Sequence, residues 1–503
     1  MKKIKKILIA NRGEIALRII RACRELSIAT VAVYSEVDRL AVHTLVADEA
    51  FEIGPAPPVE SYLNIEKIIN VARERQCDAI HPGYGFLAEN ALFAQSCREA
   101  GLIFIGPNPE AMELVGDKLK ARATMQQAKI PLIPGIDGHL TALEDIEKKA
   151  KKIGYPLLIK ASAGGGGKGM RIVNNYEEFH SALQAAQREA MSAFGDDTVY
   201  VEKFIRKPRH VEFQVLADNH GNMIHLGERE CSIQRRHQKI IEESPSPALD
   251  DNLRQQMGEA ACRVMKAAGY NNAGTVEFLL DEKKNFYFLE VNARIQVEHP
   301  VTELVTSIDL VKQQIRIASG EALSFSQEDI QQRGHSIECR IYAEDPENNF
   351  FPSVGKLLFV KEPHGPGVRC DSGIYTGLEI MHHYDPILSK LIVWDESRDA
   401  AIMRMSRALS DYIIMGVKTN IPFMKDVVIH PGFRDGDVHT GFLDDYFSDW
   451  KPVLSDSHIE IALLTAAYAR RLKKAKLLQT STQKIQTPWQ TIGEWEILGK
   501  VKK

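Results

Sequence analysis

The sequence predicts a protein of several domains, mixed α/β and α+β. The expected parts are an N-terminal βαβ block, a central antiparallel block carrying a glycine-rich flap, and a C-terminal mixed α/β block. Three observations carry this. Residues 6–115 alternate short apolar runs with helical periodicity, as parallel βαβ units do. From about residue 118, strand-like runs follow one another through short polar turns. The length of 503 residues exceeds what one core supports, so two to four domains are expected.

Taken in order, "KILIA" (6–10) is a short buried-strand run, and "NRGEIALRIIRACREL" sets Ile15, Ile19, Cys23 and Leu26 on one helical face. "ATVAVYS" (29–35), "DAIHPGYG" and "LIFIGPN" continue the parallel pattern. "IGYPLLIKASAGGGGKGMRIVNN" gives strand, glycine loop, strand. "TVYVEKF", "HVEFQVLAD", "NMIHLGERE", "TVEFLL" and "NFYFLEVN" follow as strands. A third block, about 334–445, opens with "ECRIYAE", holds further strands, and has a helix near 400–412. After 450 comes a helical stretch, "IEIALLTAAYARRLKKAKLL".

Hydrophobic residues make up 44% and charged residues 26% of the chain, as in an ordinary soluble globular protein. With 63 basic and 67 acidic residues the formal charge is −4, which supplies no global field for nucleic acid or a membrane surface. Cysteines 23, 77, 97, 231, 262, 339 and 370 stand singly and form no CxxC, which fits reduced thiols. "MKKIKKILIANRGE" begins like a signal sequence, but its apolar stretch "ILIA" is too short, and no run reaches transmembrane length. A soluble cytoplasmic protein is expected.

Gly164, Gly166 and Gly169 satisfy G-x-G-x-x-G, but a strand-like segment follows where a dinucleotide fingerprint needs a helix. Lys168 is followed by Gly169, not by the Ser or Thr of a Walker loop. A glycine-rich hairpin between strands is instead a flap whose backbone N–H groups can close over a polyphosphate. Lys160, on the entering strand, and Lys118 could direct ammonium groups at phosphate.

The stretch "LEVNARIQVEHPVTE" alternates. Glu290, Asn292, Arg294, Gln296 and Glu298 are polar; Val291, Ala293, Ile295 and Val297 are apolar. The plain interpretation is an edge strand with a wet face. If Leu280 pairs with Tyr287 in the preceding hairpin, however, Glu277 lies opposite Glu290. Two facing carboxylates repel unless a hard cation such as Mg²⁺ or Mn²⁺ lies between them. Asn292 would add a third oxygen, and Arg294, Gln296 and Glu298 would continue past the metal. A one-residue slip would destroy this arrangement.

With "YLNI", "AIHPGYGFLAEN", "KASAGGGGKGM", "RHVEFQVLAD", "CSIQRRHQK", "EVNARIQVEHPVTE", "ECRIYAEDP" and "GVKTNI" in order, the chain resembles the biotin carboxylase component of biotin-dependent carboxylases, in the ATP-grasp superfamily, over about residues 3–445. The resemblance implies an N-terminal domain at 1–115 and an ATP-grasp domain at 116–333, with its flap subdomain at about 131–203. A C-terminal domain at 334–445 and a tail at 446–503 complete it. It implies ATP- and bicarbonate-dependent carboxylation of biotin on a separate carrier, by way of carboxyphosphate. By motif position, Lys118, Lys160, Gly164, Gly165, Gly166, Gly167, Glu202, Lys203, His210 and His237 hold ATP. Glu277 and Glu290 bind ATP through the metal, which Asn292 also ligates. Lys239, Arg294, Gln296 and Val297 hold bicarbonate, Glu298 is its base, and Arg340 stabilises the biotin enolate. Glu298 is expected to have a pKa near the working pH through crowding by other charges.

Ala163 and Lys168 depart from the Gly and Arg of many relatives, which a loop acting through backbone amides tolerates. Pro386 in "YDPILSKL" favours the acyl-CoA carboxylase branch. The chain lacks the Met-Lys-Met of a biotinyl domain; Met424-Lys425-Asp426 is the nearest sequence. Expected partners are therefore a biotin carboxyl carrier protein, a carboxyltransferase subunit and a second copy in a homodimer, with no nucleic acid or membrane. The tail is either a docking segment or a cap. The alternative function is another ATP-grasp ligase acting through an acyl phosphate.

Overall fold

A computed structural model describes residues 3–136, 143–161, 170–195, 197–453 and 456–479. The chain divides into two compact units, residues 1–450 and 451–503. The second contributes the helix Asp456–Gln479.

The first unit opens with β1 (Lys6–Ile9), β2 (Ala29–Ser35), β3 (Glu49–Gly54), β4 (Ala79–His81) and β5 (Ile103–Phe104). They form a parallel sheet in the order β3-β2-β1-β4-β5. Ile7, Leu8 and Ile9 are all fully buried, the apolar run needed by a parallel strand covered on both faces. The helix Gly13–Glu25 buries Ile15, Ile19 and Cys23; Leu26 ends it and is only half-buried.

The segment expected to carry the flap holds β6 (Gly135–Ile136), β7 (Leu157–Ala161), β8 (Met170–Val173) and β9 (Val199–Lys203), an antiparallel sheet in the order β6-β9-β7-β8. Its core packs Ile159 and Val201 against Ile146, Phe179 and Leu183 from two helices, Leu143–Ile153 and Tyr176–Phe194. Lys160 on β7 lies opposite Met170 on β8, so the strands flanking the glycine loop are neighbours. Gly164, Gly165, Gly166 and Gly167 lie outside the described residues.

The centre is an eight-stranded antiparallel sheet. Its strands are β10 (Arg209–Ala217), β11 (Met223–Arg235), β12 (Gln238–Ser244), β13 (Asn272–Leu280), β14 (Phe286–Asn292) and β15 (His335–Tyr342). In the order β14-β13-β10-β11-β12-β15 they continue into the strands Ile387–Asp395 and Val368–Ser372. The sheet therefore runs on across residues 333 and 334.

One face of this sheet is apolar. Val211, Phe213, Val276 and Phe278 pack with residues of the helix Asp251–Ala267, and Ile337, Cys339, Leu391 and Val393 pack with those of the helix Arg398–Asp411. The other face is charged yet buried: Glu212, Arg229, Glu242, Glu338 and Lys390 are all 0% exposed. The helix His299–Thr306 packs across β11, β12, β15 and Ile387–Asp395 and excludes water.

Such burial requires internal partners for each charge. Arg229 has them: its guanidinium donates to Glu212 Oε1 at 2.6 Å, Gln214 Oε1 at 2.9 Å, Thr302 Oγ1 at 3.0 Å and Thr275 Oγ1 at 3.1 Å. Arg229→Met leaves those acceptors short of a donor in a dry interior. It is expected to destabilise the fold by about 3–5 kcal/mol, measured as a lowered urea-unfolding midpoint.

Candidate active site

The β13–β14 hairpin does set Glu277 opposite Glu290, but by a different route from the one expected. Leu280 faces Phe286, not Tyr287, and a bulge at Leu289 makes up the missing residue. The strand ends at Asn292. The polar alternation continues in irregular chain to Glu298, which directly precedes the helix His299–Thr306. Val291 and Ala293 still enter one apolar core and Ile295 another. Of the even-numbered residues, Glu290, Asn292, Arg294 and Gln296 line a cleft of about 1440 Å³.

Lys118, Lys160, Glu202, Lys203, His210, His237, Lys239, Glu277, Glu290, Asn292, Arg294, Gln296, Val297 and Arg340 all line that cleft. Glu298 does not. It is 0% exposed and lies behind Lys239 and Arg340.

Lys239 is the centre of the arrangement. Its Nζ donates to Glu212 Oε2 at 2.5 Å, Glu277 Oε1 at 2.7 Å and Glu298 Oε1 at 2.8 Å. Burial alone would push the ammonium pKa down, but Glu212, Glu277 and Glu298 outweigh it and hold it well above the usual lysine value. Two clusters with metal-ligand spacing, His210–Glu212–Glu277 and Glu212–Cys231–Glu298, surround this same ammonium. The lysine supplies the positive charge there.

Glu298 departs from expectation. Burial would raise its pKa, but Lys239, Arg340 and Arg229 reverse that and hold the carboxyl well below the usual glutamate range. The charges crowding it are cations, so the resting group is a firmly ionised, weak base.

Arg294 is held on every side. Nε donates to Glu89 Oε2 at 3.0 Å, Nη1 to Gln296 Oε1 at 2.9 Å and Nη2 to Asn292 Oδ1 at 3.0 Å. Glu89 also accepts from the Ala293 N–H at 3.1 Å, so it fixes both the backbone and the side chain of this turn. Arg340 donates to Glu242 Oε1 at 2.6 Å and Glu298 Oε2 at 3.0 Å. The Val297 carbonyl accepts from Lys390 Nζ at 2.8 Å.

On the opposite wall, Lys160 Nζ meets Glu202 Oε2 at 2.7 Å, and Asp117 caps the helix that begins at Lys118. Lys203 points its ammonium at the Gly154 and Tyr155 carbonyls, 2.8 and 2.9 Å away. His210 Nε2 lies 2.9 Å from Glu277 Oε2, while Gln234 occupies its Nδ1. His237 is exposed at the β11–β12 turn, where it and Arg236 both adopt positive φ (66° and 49°). Such conformations are costly without glycine and concentrate at working sites.

The donors suit a divalent cation. Glu277, Glu290 and Asn292 offer hard oxygens on one cleft-facing edge. The surrounding protein, and then the charge of Glu277, raise the pKa of Glu290; a cation between the two would reverse that.

Sequence reasoning missed Glu89, Glu212 and Glu242. The alternation that singled out Glu290–Glu298 also runs through "HVEFQVLAD", where Glu212 follows His210 on the same face; that signal was available. Glu89 and Glu242 have no such local marker.

Three family models match in succession. "Biotin carboxylase, N-terminal domain" covers residues 3–112, "Carbamoyl-phosphate synthase L chain, ATP binding domain" covers 117–326, and "Biotin carboxylase C-terminal domain" covers 338–445. The chain is 55% identical over 444 residues to biotin carboxylase 1 of Bacillus subtilis, covering 88% of this chain and 99% of that one. It is 48% identical over 485 residues to the mitochondrial methylcrotonoyl-CoA carboxylase subunit alpha of Rattus norvegicus, covering 96% and 67%. A crystal structure of the biotin carboxylase domain dimer of Hydrogenobacter thermophilus 2-oxoglutarate carboxylase, with MgADP, ADP and bicarbonate, superposes with a TM-score of 0.85. It is 49% identical and covers 90% of this chain and 100% of that chain.

The depressed carboxyls give the fold an acid limit. A lowered folded pKa contributes stability that is complete above the unfolded value of about 4.3 and is lost as pH falls through the folded value. Glu298→Gln removes one such group, and is expected to flatten the fall in urea midpoint below about pH 4 relative to the unsubstituted chain.

Proposed function

Because this chain belongs to the biotin carboxylase family of the ATP-grasp superfamily, we propose that its cleft divides the carboxylation of biotin among successive stations along β13, β14 and the coil after Asn292. The chain is an ATP-dependent ligase that uses ATP with Mg²⁺, and bicarbonate, to carboxylate biotin borne on a separate carrier protein. It acts with a carboxyltransferase and as a dimer. The observation that supports the residue assignment is that segment 290–298 sets Glu290 opposite Glu277 and Arg294 beside them in one cleft, with Glu298 buried directly behind the cleft residues Lys239 and Arg340.

At the first station, Lys118, Lys160, Glu202, Lys203, His210 and His237, with Gly164–Gly167, hold ATP. Glu277, Glu290 and Asn292 hold Mg²⁺ or Mn²⁺; the bound ion neutralises the phosphates and polarises the transferring group. At the second, Lys239, Arg294, Gln296 and Val297 hold bicarbonate, a poor electrophile that ATP activates as carboxyphosphate. A planar guanidinium suits such an anion.

Glu298 accepts the bicarbonate proton. At rest Lys239 and Arg340 keep it a weak base; an arriving anion draws Lys239 away, and the carboxylate, with one cation fewer, gains basicity. Arg340 then turns toward biotin, where it stabilises the enolate. The choice of acyl acceptor of the holoenzyme belongs to the transferase, and relatives as different as the methylcrotonoyl-CoA and 2-oxoglutarate carboxylases share this component. No described helix is long and apolar enough to cross a membrane; we assign the protein to the cytoplasm.

The test is ADP release by the purified chain with Mg²⁺ and ATP, varying bicarbonate and free biotin independently. Release that requires bicarbonate and rises with biotin is expected, while indifference to both would mean a different ligase. Glu298→Gln is expected to keep ATP affinity within about twofold and to lower turnover about 100-fold or more. Undiminished turnover would remove Glu298 as the base.

A further inference from the structure

The charged face beneath the cleft buries more acid than base. Glu212, Glu277, Glu298, Glu242 and Glu338 stand there with Lys239, Arg229, Arg340 and Lys390. Two of these acids are direct cross-strand partners, Glu242 on β12 and Glu338 on β15. Opposed residues share a sheet face with Cβ atoms about 4.5–5.5 Å apart. Both are 0% exposed. Arg340 occupies Glu242 Oε1, but among the described residues Glu242 Oε2 and both oxygens of Glu338 have no hydrogen-bond partner. Two ionised carboxylates in that position would combine like-charge repulsion with uncompensated burial.

Resting on the reading of Arg340 above, we propose that Glu242 and Glu338 share one proton, and that Glu242 is thereby the positioning residue that keeps Arg340 aimed at biotin once Glu298 has been protonated. The bonding supports the second half. The same guanidinium bonds both Glu242 and Glu298, so when Glu298 takes up a proton Arg340 loses one anionic anchor and keeps the other. The Glu338 hydroxyl, as donor, leaves Glu242 ionised and satisfies its second oxygen.

The charged groups facing the pair agree. Lys390, on the strand Ile387–Asp395, directs its ammonium to the Val297 carbonyl and Glu14. Lys239 is taken by its three carboxylates, and Glu298 adds further negative charge. Burial, only partly offset by Arg340, raises the Glu242 pKa to about 7. Burial raises that of Glu338 well above the usual range, against the pull of Lys390.

Infrared spectroscopy of the intact chain at pH 8 tests the shared proton. A protonated-carboxyl C=O band is expected that Glu338→Gln, which keeps shape and a donor, abolishes; a spectrum unchanged by that substitution would overturn the pair. For positioning, Glu242→Gln is expected to raise KM for free biotin about tenfold or more while KM for ATP stays within about twofold, and Glu338→Gln to leave both within about twofold. An unchanged biotin KM in Glu242→Gln would overturn the positioning role. ADP release by the unsubstituted chain that ignores bicarbonate and biotin would instead remove the underlying reading of the site.

Discussion

One ammonium organises this molecule's working face. Lys239 collects Glu212 from β10, Glu277 from β13 and Glu298 from the coil after β14, three acids that would otherwise repel one another in a dry interior. The desolvation penalty of each ion is large, and only mutual pairing at short range offsets it. Arg229 and Arg340 extend the same solution along the sheet, binding Glu212 and Glu242. The helix His299–Thr306 covers this face, where these cations pair Glu212, Glu277, Glu298 and Glu242 while Glu338 is left without a partner among the described residues.

The electrostatics also bind the domains together. The eight-stranded sheet passes from the hairpin that carries Glu277 and Glu290 to the strands that carry Arg340 and Lys390. Its apolar face is two ordinary cores, so the fold is held on one side by hydrophobic packing and on the other by paired charge. Stability and chemistry share residues here: a substitution that alters the site also leaves a buried partner unsatisfied.

Much of the architecture was legible. The βαβ rhythm of "KILIA" and "ATVAVYS", and the strand–glycine–strand reading of the flap's flanks, follow from periodicities that local burial dictates. Glu277 does face Glu290, but the expected register did not give it: Leu280 pairs with Phe286 and not Tyr287, and only the bulge at Leu289 restores the offset. That bulge was not legible, because it reflects how the whole strand bends over its neighbours. The low pKa of Glu298 was hidden as well: it is set by Lys239 and Arg340, 59 and 42 residues away along the chain. Glu89, more distant still, is recognisable only once the turn at Ala293 and Arg294 has formed.

The resting cleft is self-neutralised. Lys239, Arg294 and Arg340 are each already bonded to acids or amides of the protein, so an anion bound there, as proposed above, would have to displace an internal rival. Affinity would then be a difference between two sets of bonds, which favours strongly hydrogen-bonding anions over weak ones. The same rivalry would reset the site, since carboxylates displaced by a bound anion stay close enough to pair again once it leaves. A vacant pocket of bare positive charge would hold whatever anion arrived first, whereas one whose cations are already paired would select by competition.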